Sequence, residues 1–410
     1  MLLVGIDWAD KEHVYCSMDE AGTTLSTGTI EHTAEGLEHF MTAVRARVQA
    51  PTDVLVAIET SHGLLVGALL EQGFTVYALN PKAVERTRER FRMAGAKSDL
   101  RDAWTLATML RTDRQLYRPI VPDSEIAQEL RALTRDRADL VRTRTMLSNQ
   151  LTTCLKTYFP EFLTLFSDPD RPVALALLHA YPTRERLQAA SPEELEIFLR
   201  RHHCPRSRER ARAIYQGVQG PGFHIAPLVV RAKARLAGTL VAQLQTLATH
   251  IDAYDREIQR VLKLHPDGEL YRSLPGAGHT LAARMVGELG DNRDRYQDPS
   301  IAQCEAGTAP VTRTSAHTRT VHFRRTCIHP LRDTLWQFAF SSLSHCSWAR
   351  AYYDHARKRG KKHAEAVRML GNVWLRIIIA LRRTSRPYDE AVFLHARSRH
   401  APAAPAIVCG

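Results

Sequence analysis

The sequence predicts a multidomain chain: an α/β domain at the front, then a helical coiled-coil connector and a mainly helical C-terminal domain. Three observations predict it. Two short apolar runs, in MLLVGIDWAD and VLVAIET, end in acids, Asp7 and Glu59, as buried strands do that deliver a carboxylate to their ends. Two long apolar series with 3–4 spacing begin at Ile126 and Ala237, the mark of paired helices. Between the apolar runs of the front part lie turn residues and a helix-period segment, as an α/β order requires.

The front part reads as follows. After the strand ending in Asp7, two further strands are expected at 13–18 and 24–30. Residues 33–48 carry Leu37, Phe40, Met41 and Val44 on one helical face. The run VLVAIET follows as a strand ending in Glu59, then a helix at 61–72, a strand at 75–80 and a helix at 96–110 holding KSDLRDA. Asp99 and Asp102 are three apart, so on a helix they share a face. The β-β-β-α-β-α-β-α order is that of a ribonuclease-H-like fold, with three antiparallel strands followed by parallel strands covered by helices.

Each acid alone reads most simply as a solvated cap or a surface charge. Together, Asp7, Glu59, Asp99 and Asp102 would repel one another and take up protons unless a cation stood between them. A hard divalent ion suits oxygen donors. Magnesium is expected, with manganese as the alternative, and chemistry on a phosphodiester is the first reading of such a site.

Composition narrows the classes. A chain of 410 residues has room for two or three domains. The net charge of +12, carried mostly by arginine, fits a polyanionic partner. The seven cysteines are scattered and without CxxC pairs, which argues against a disulfide framework and a zinc site. The N-terminus runs straight into a strand, and the apolar stretch 374–381 is broken by Arg376 and too short to span a bilayer. The expectation is a soluble intracellular protein suited to a reducing cytoplasm, with no membrane partner.

Expected boundaries are 1–118, 119–265, 266–390 and a disordered Ala/Pro-rich tail at 391–410. In the connector, Arg137 and Arg144 interrupt the first apolar series, while the second runs unbroken from Ala237 to Val261. The series do not tell whether the helices pair within one chain or between two. Short helices, for example 192–201, separate them, and 200–212 is markedly basic. The LPGAG turn brings Gly276 and Gly278 before a small-residue helix, an arrangement that lets backbone N–H groups face a phosphate. The segment 306–325 is rich in Thr and Arg and holds Ser315 among Arg313, Arg319, Arg324 and Arg325. A hydroxyl among arginines suits attack on phosphorus, since cations stabilise the charge developing on phosphoryl oxygens. The run RKRGKKH adds Arg357, Lys358, Lys361 and Lys362 as candidate backbone contacts, and the aromatics of 336–374 read mostly as core.

On GIDWA, IET, KSDLRDA, the LPGAG turn, GTAPVTRTSA and WARAYYDHARKRGKKHAEAVRML, the chain resembles the DEDD transposases of bacterial insertion sequences. These are relatives of the pilin-gene invertases and are known as bridge-RNA-guided recombinases. The resemblance covers nearly the whole chain. It implies a RuvC-like N-terminal domain whose acids, here Asp7, Glu59, Asp99 and Asp102, hold magnesium. It also implies a C-terminal transposase domain whose serine lies five positions after the proline of GxxP. Pro310 places that role on Ser315, which would attack the scissile phosphate and form a phosphoserine link to DNA. Donor and target DNA, a structured guide RNA and a homodimer assembling to a tetramer are implied partners. The chain departs from many members in having Ala316 after the serine, and Thr314 is a neighbouring hydroxyl. The alternative function is a RuvC-like metal-dependent endonuclease or junction resolvase that uses water as nucleophile. An actin-like nucleotide-binding fold shares the GIDxx opening, but no further glycine-rich phosphate loops follow in order.

Overall fold

The computed structural model describes residues 1–91, 98–315 and 318–399. The chain forms two compact units, Met1–Pro122 and Asp123–Gly410.

The first unit is a five-stranded sheet in the order β3-β2-β1-β4-β5. Strands β1 (Leu2–Asp7), β2 (Glu12–Met18) and β3 (Thr24–Glu31) are antiparallel neighbours, and β4 (Val54–Ile58) and β5 (Thr75–Ala78) continue the sheet in parallel. Strands β1 and β4 are buried on both faces, which is why their sequences are uninterrupted apolar runs. Alternate side chains separate into two cores. Leu2, Val4, Ile6, Val54, Val56 and Ile58 pack under α1 (Ala34–Arg45) and α2 (Leu64–Glu71). Leu3, Leu55 and Ala57 pack under α4 (Asp99–Asp113), together with Val84 of α3 (Pro81–Phe91).

Helix α3 is an addition to the expected order, and strand β4 stops at Ile58, just short of the expected acid. Ser98 caps α4, its hydroxyl accepting from the Arg101 N–H; Lys97 and the rest of 92–97 lie outside the described residues. Gly5 lets α4 lie directly on β1: a Cβ there would stand 2.0 Å from the Ala103 carbonyl oxygen and 2.5 Å from the Ala107 nitrogen.

The second unit is mostly helical. Two long helices, α5 (Glu125–Tyr158) and α11 (Pro227–Leu264), run antiparallel, as the pairings Arg137–Asp255 and Cys154–Lys233 show. The question the apolar series left open is thereby answered: these helices pair within one chain. The two arginines of the first seam find acids, Arg137 reaching Asp255 with bonds of 2.7 and 2.8 Å and Arg144 reaching Asp170 at 3.5 Å.

Each end of the pair belongs to a different core. The far end packs against α6 (Phe162–Leu165), α7 (Pro172–Ala180), α8 (Arg184–Gln188), α9 (Pro192–Arg201) and α10 (Ser207–Gln219). The near end packs into a core with α12 (Gly268–Arg272), α13 (His279–Leu289), α14 (Pro299–Glu305), α15 (His329–Ser342), α16 (Ser347–Lys358) and α17 (His363–Thr384). Between α14 and α15 stands a hairpin of β6 (Val311–Ser315) and β7 (Thr318–His322).

Residues 391–399, expected within a disordered tail, belong to α18 (Glu390–Arg399), and Phe393 packs on Trp348 at 4.4 Å between ring centroids. Residues 400–410 of that expectation lie outside the described residues. Among the described residues no helix is long and apolar enough to cross a membrane.

The α4–β1 contact gives a first test. Gly5→Ala forces its methyl into the α4 backbone, and overpacking of this severity destabilises by about 3 kcal/mol. A lowered urea midpoint for the first unit is the expected result. Unchanged stability would mean that α4 does not rest on β1.

Candidate active site

Strands β1 and β4 pair in parallel with Ile6 opposite Ile58. The next residues, Asp7 and Glu59, therefore leave the sheet side by side at its carboxyl edge, roughly one strand spacing of about 4.8 Å apart along the backbone. The turn after Asp7 is held by buried His13, whose Nδ1 accepts from the Ala9 N–H at 3.2 Å and whose Nε2 lies 2.9 Å from His32. Burial, reinforced by His32, pushes the His13 ring below its ordinary pKa, so the neutral form that makes these bonds is favoured.

Helix α4 runs antiparallel to β1. Its residues 103–107 lie over Gly5, and Arg111 reaches Gly22 at the opposite edge. Its first turn, with Asp99 and Asp102, thus starts at the edge where Asp7 and Glu59 emerge. Asp102 is 5% exposed and accepts two hydrogen bonds from Arg88 of α3, at 2.7 and 2.9 Å. The Asp102 bond raises the Arg88 pKa most; burial opposes it, and the charges of Glu85 and Glu59 add to it. Arg88 is thus a guanidinium bonded to Asp102 and influenced by the charge of Glu59. Asp99 is exposed at the first position of α4.

The four acids are therefore not gathered equally. Asp7, Glu59 and the first turn of α4 lie at the same edge of the sheet; there Asp102 is bonded to Arg88, and Asp99 is exposed. Among the described residues no three carboxylate, His or Cys side chains stand together as a ready metal cage. The donors nevertheless fit a hard divalent cation in kind, since all are carboxylate oxygens, and at this edge Arg88 supplies the positive charge that pairs with Asp102. Sequence reasoning missed Arg88 because its partner is 14 residues away on another helix; its only trace was the charged helical spacing of 81–91. Arg88 also lines a groove of about 560 Å³ with Cys16, Thr24, Thr27 and Trp104.

Ser315 lies in the other unit, on a hairpin whose β7 is exposed throughout and whose β6 is exposed save at Val311. Its hydroxyl is 2.6 Å from that of Thr318, its cross-strand partner. Arg313 is two residues back and shares the Ser315 face, whereas Thr314 pairs with Arg319 on the other face. The hairpin is fixed at its base. The Phe323 ring is contacted by the guanidiniums of Arg332 and Arg368, each 4.7 Å from the ring centroid. Thr308 bonds Asn372 at 2.8 Å, and Arg324 donates to the Ala309 carbonyl at 3.2 Å. Gly307 has φ +63, and a Cβ there would lie 2.3 Å from the Arg332 guanidinium, so the approach to the hairpin needs glycine. Ala316 lies outside the described residues.

The remaining candidates divide. Gly276 (φ +81) is packed against Ser341 and His345, with its carbonyl accepting from the Ser341 hydroxyl at 2.8 Å, so its glycine serves this packing. Gly278 stands before α13 with open space around it. Arg325, Lys358 and Lys362 are exposed. Arg357 donates to the Lys361 carbonyl and Lys361 pairs with Glu365, each at 2.8 Å. The aromatics of 336–374, expected mostly in the core, also divide: Phe338, Trp348 and Trp374 are buried, but Trp336 is 36% and Phe340 49% exposed.

Comparison with known proteins decides the family. Residues 4–160 match the DEDD transposase model of the IS110 type, and residues 268–354 match the IS116/IS110/IS902 transposase family. The chain is 33% identical over 395 residues to the mini-circle putative transposase for IS117 of Streptomyces coelicolor, covering 94% of this chain and 95% of that one. The chain belongs to this family of insertion-sequence transposases. It is also similar to an insertion element IS116 protein of Streptomyces clavuligerus, 28% identical across 95% of this chain and 96% of the relative. A putative transposase of Sinorhizobium fredii is 35% identical over 49% of this chain and 57% of its own length. The DEDD match spans Asp7, Glu59, Asp99 and Asp102, and the second match spans the hairpin with Ser315.

Removing Arg88 leaves a buried carboxylate unpaired in this transposase. Arg88→Ala is expected to destabilise the first unit by about 2 kcal/mol, and Asp102→Asn in the same background should restore most of that loss. A double-mutant cycle in urea measures the coupling; additive losses would show that the pair carries no interaction.

Proposed function

We propose that this transposase cuts and rejoins donor and target DNA through a covalent intermediate on Ser315, guided by a structured RNA. Its first unit serves as a RuvC-like acidic site. The observation that carries the reading is Ser315 itself. It is a hydroxyl presented on an exposed Thr/Arg hairpin with a rigid base, with a second hydroxyl 2.6 Å away to orient it and Arg313 on the same face.

Ser315 Oγ attacks the scissile phosphorus. The P–Oγ bond forms, the bond from phosphorus to the deoxyribose oxygen breaks, and the departing oxygen takes a proton while the Oγ proton passes to solvent. The phosphodiester's energy is kept in the phosphoserine link, so a hydroxyl of another strand can attack it and regenerate Ser315 without a high-energy cofactor. Arg313 supports the charge developing on the phosphoryl oxygens. Asp7, Glu59, Asp99 and Asp102 would hold magnesium, or manganese in its place, once Arg88 has moved aside; the ion would polarise the scissile phosphate.

Arg319, Arg325, Lys358 and Lys362, with the backbone at Gly278, supply phosphate contacts that fix register without reading bases. Sequence choice then falls to base pairing by the guide RNA. Dimers assembling to tetramers would let the acids of one chain complete the serine site of another, in the bacterial cytoplasm at the nucleoid.

The test is adduct trapping. Wild-type protein incubated with guide RNA, magnesium and substrate DNA, then denatured, should leave protein covalently on a labelled strand. Ser315→Ala should lower cleavage by about a thousandfold or more and leave no adduct, while Thr314→Val keeps both. Cleavage by Ser315→Ala at the wild-type rate would instead support a junction-resolving nuclease that uses water. Sequencing RNA that copurifies with the protein from its native host tests the guide.

A further inference from the structure

Large aromatic side chains exposed side by side on a helix need a reason. Trp336 and Phe340 lie one turn apart on the outer face of α15, 36% and 49% exposed. Their rings are parallel to within 8°, with centroids 5.6 Å apart. His363 stands edge-on to both, at 6.2 and 5.8 Å, and is itself bonded to the Tyr353 hydroxyl at 2.8 Å. The pair is thus buttressed into one orientation before anything binds, which lowers the entropy lost on binding.

The buttress also joins the pair to charge. His363 ends the run 357–363, in which every residue but Gly360 is basic. Lys358, Arg359 and Lys362 of that run are exposed and make no ion pair among the described residues. A flat aromatic pair beside a row of cations matches one ligand chemistry: a nucleobase with a free face, attached to phosphates. Paired bases within a duplex show only their edges, so the rings offer duplex DNA little.

We propose that Trp336 and Phe340 form a stacking platform for unpaired nucleotides of a DNA strand, whose phosphates run along 357–363. The assignment to DNA rests on the reading of this transposase as an enzyme that opens and exchanges DNA strands; it does not depend on Ser315 as nucleophile.

The experiment measures binding of the full-length protein to a fluorescent oligothymidylate, to a duplex and to an oligouridylate of equal length, across salt concentrations. Trp336→Leu with Phe340→Leu should weaken oligothymidylate binding about tenfold or more while duplex affinity and the salt slope stay as in wild type. Trp336→Phe with Phe340→Tyr, which keeps flat rings, should restore it and guards against simple misfolding. Lys358→Gln with Lys362→Gln should weaken both DNA forms and flatten the salt dependence. Ser315→Ala should bind as wild type, which separates this outcome from failure of the catalytic reading. Single-strand binding by the leucine variant within about twofold of wild type, less than one stacked base contributes, would overturn the platform. So would equal losses for duplex and single strand. An effect confined to oligouridylate would overturn the assignment to DNA.

Discussion

The N-terminal site depends on how closely a helix can lie on a strand. Gly5 has no side chain, and Ala103 and Ala107 have the smallest, so the α4 backbone comes within van der Waals range of β1. That closeness sets the first turn of α4 at the edge where β1 and β4 release Asp7 and Glu59. Carboxylates brought to one edge of a buried sheet must be balanced, because like charges in a poorly solvated site raise one another's free energy. The α4 N-terminus contributes partial positive charge, and Arg88 contributes a full one. The carboxylate that α4 brings to this edge, Asp102, is balanced by a cation that the chain supplies from α3.

The serine site is built on a different principle. A lone two-stranded ribbon has little stability of its own, and β6–β7 has hardly any buried face. Its order comes from below. The contacts of Phe323 with two guanidiniums, the Thr308–Asn372 bond and the left-handed Gly307 tie both strand roots to α15 and α17. The result is a ribbon fixed at its base that presents Ser315 and Arg313 on one exposed face.

Legibility in the sequence followed the range of the forces involved. Asp7 and Glu59 could be read because strands buried on both faces leave continuous apolar runs, and each run stops where burial stops. The helix spacing of Asp99 and Asp102 was equally local, but spacing says nothing of environment: Asp102 turned inward to Arg88 while Asp99 stayed in water. Arg88 was invisible because its partner is set by packing of α3 on α4. The hairpin at 311–322 was missed because both its faces are polar, which removes the alternation that betrays a half-buried strand; only its β-branched threonines and valines hinted at extended backbone. Trp336 and Phe340 were assigned to the core with their neighbours, since composition cannot separate the buried face of α15 from the outer one.

The long helix pair shows what the polar interruptions in its seam accomplish. An uninterrupted apolar seam allows sliding, because one leucine layer resembles the next. Arg137 on α5 can reach both oxygens of Asp255 on α11 in a single register only, and Thr280 of α13 adds a bond of 3.0 Å to the same carboxylate. Two residues earlier, Arg135 holds Glu288 of α13 with two bonds of 2.8 Å. Gly287 lets that helix approach until a Cβ would stand 2.8 Å from the Arg131 Cα. These partly buried ion pairs add little net stability over apolar replacements, and their worth lies in specificity. They lock α5, α11 and α13 in one alignment, and so fix the core that carries α15 and α17, on which the serine hairpin is rooted.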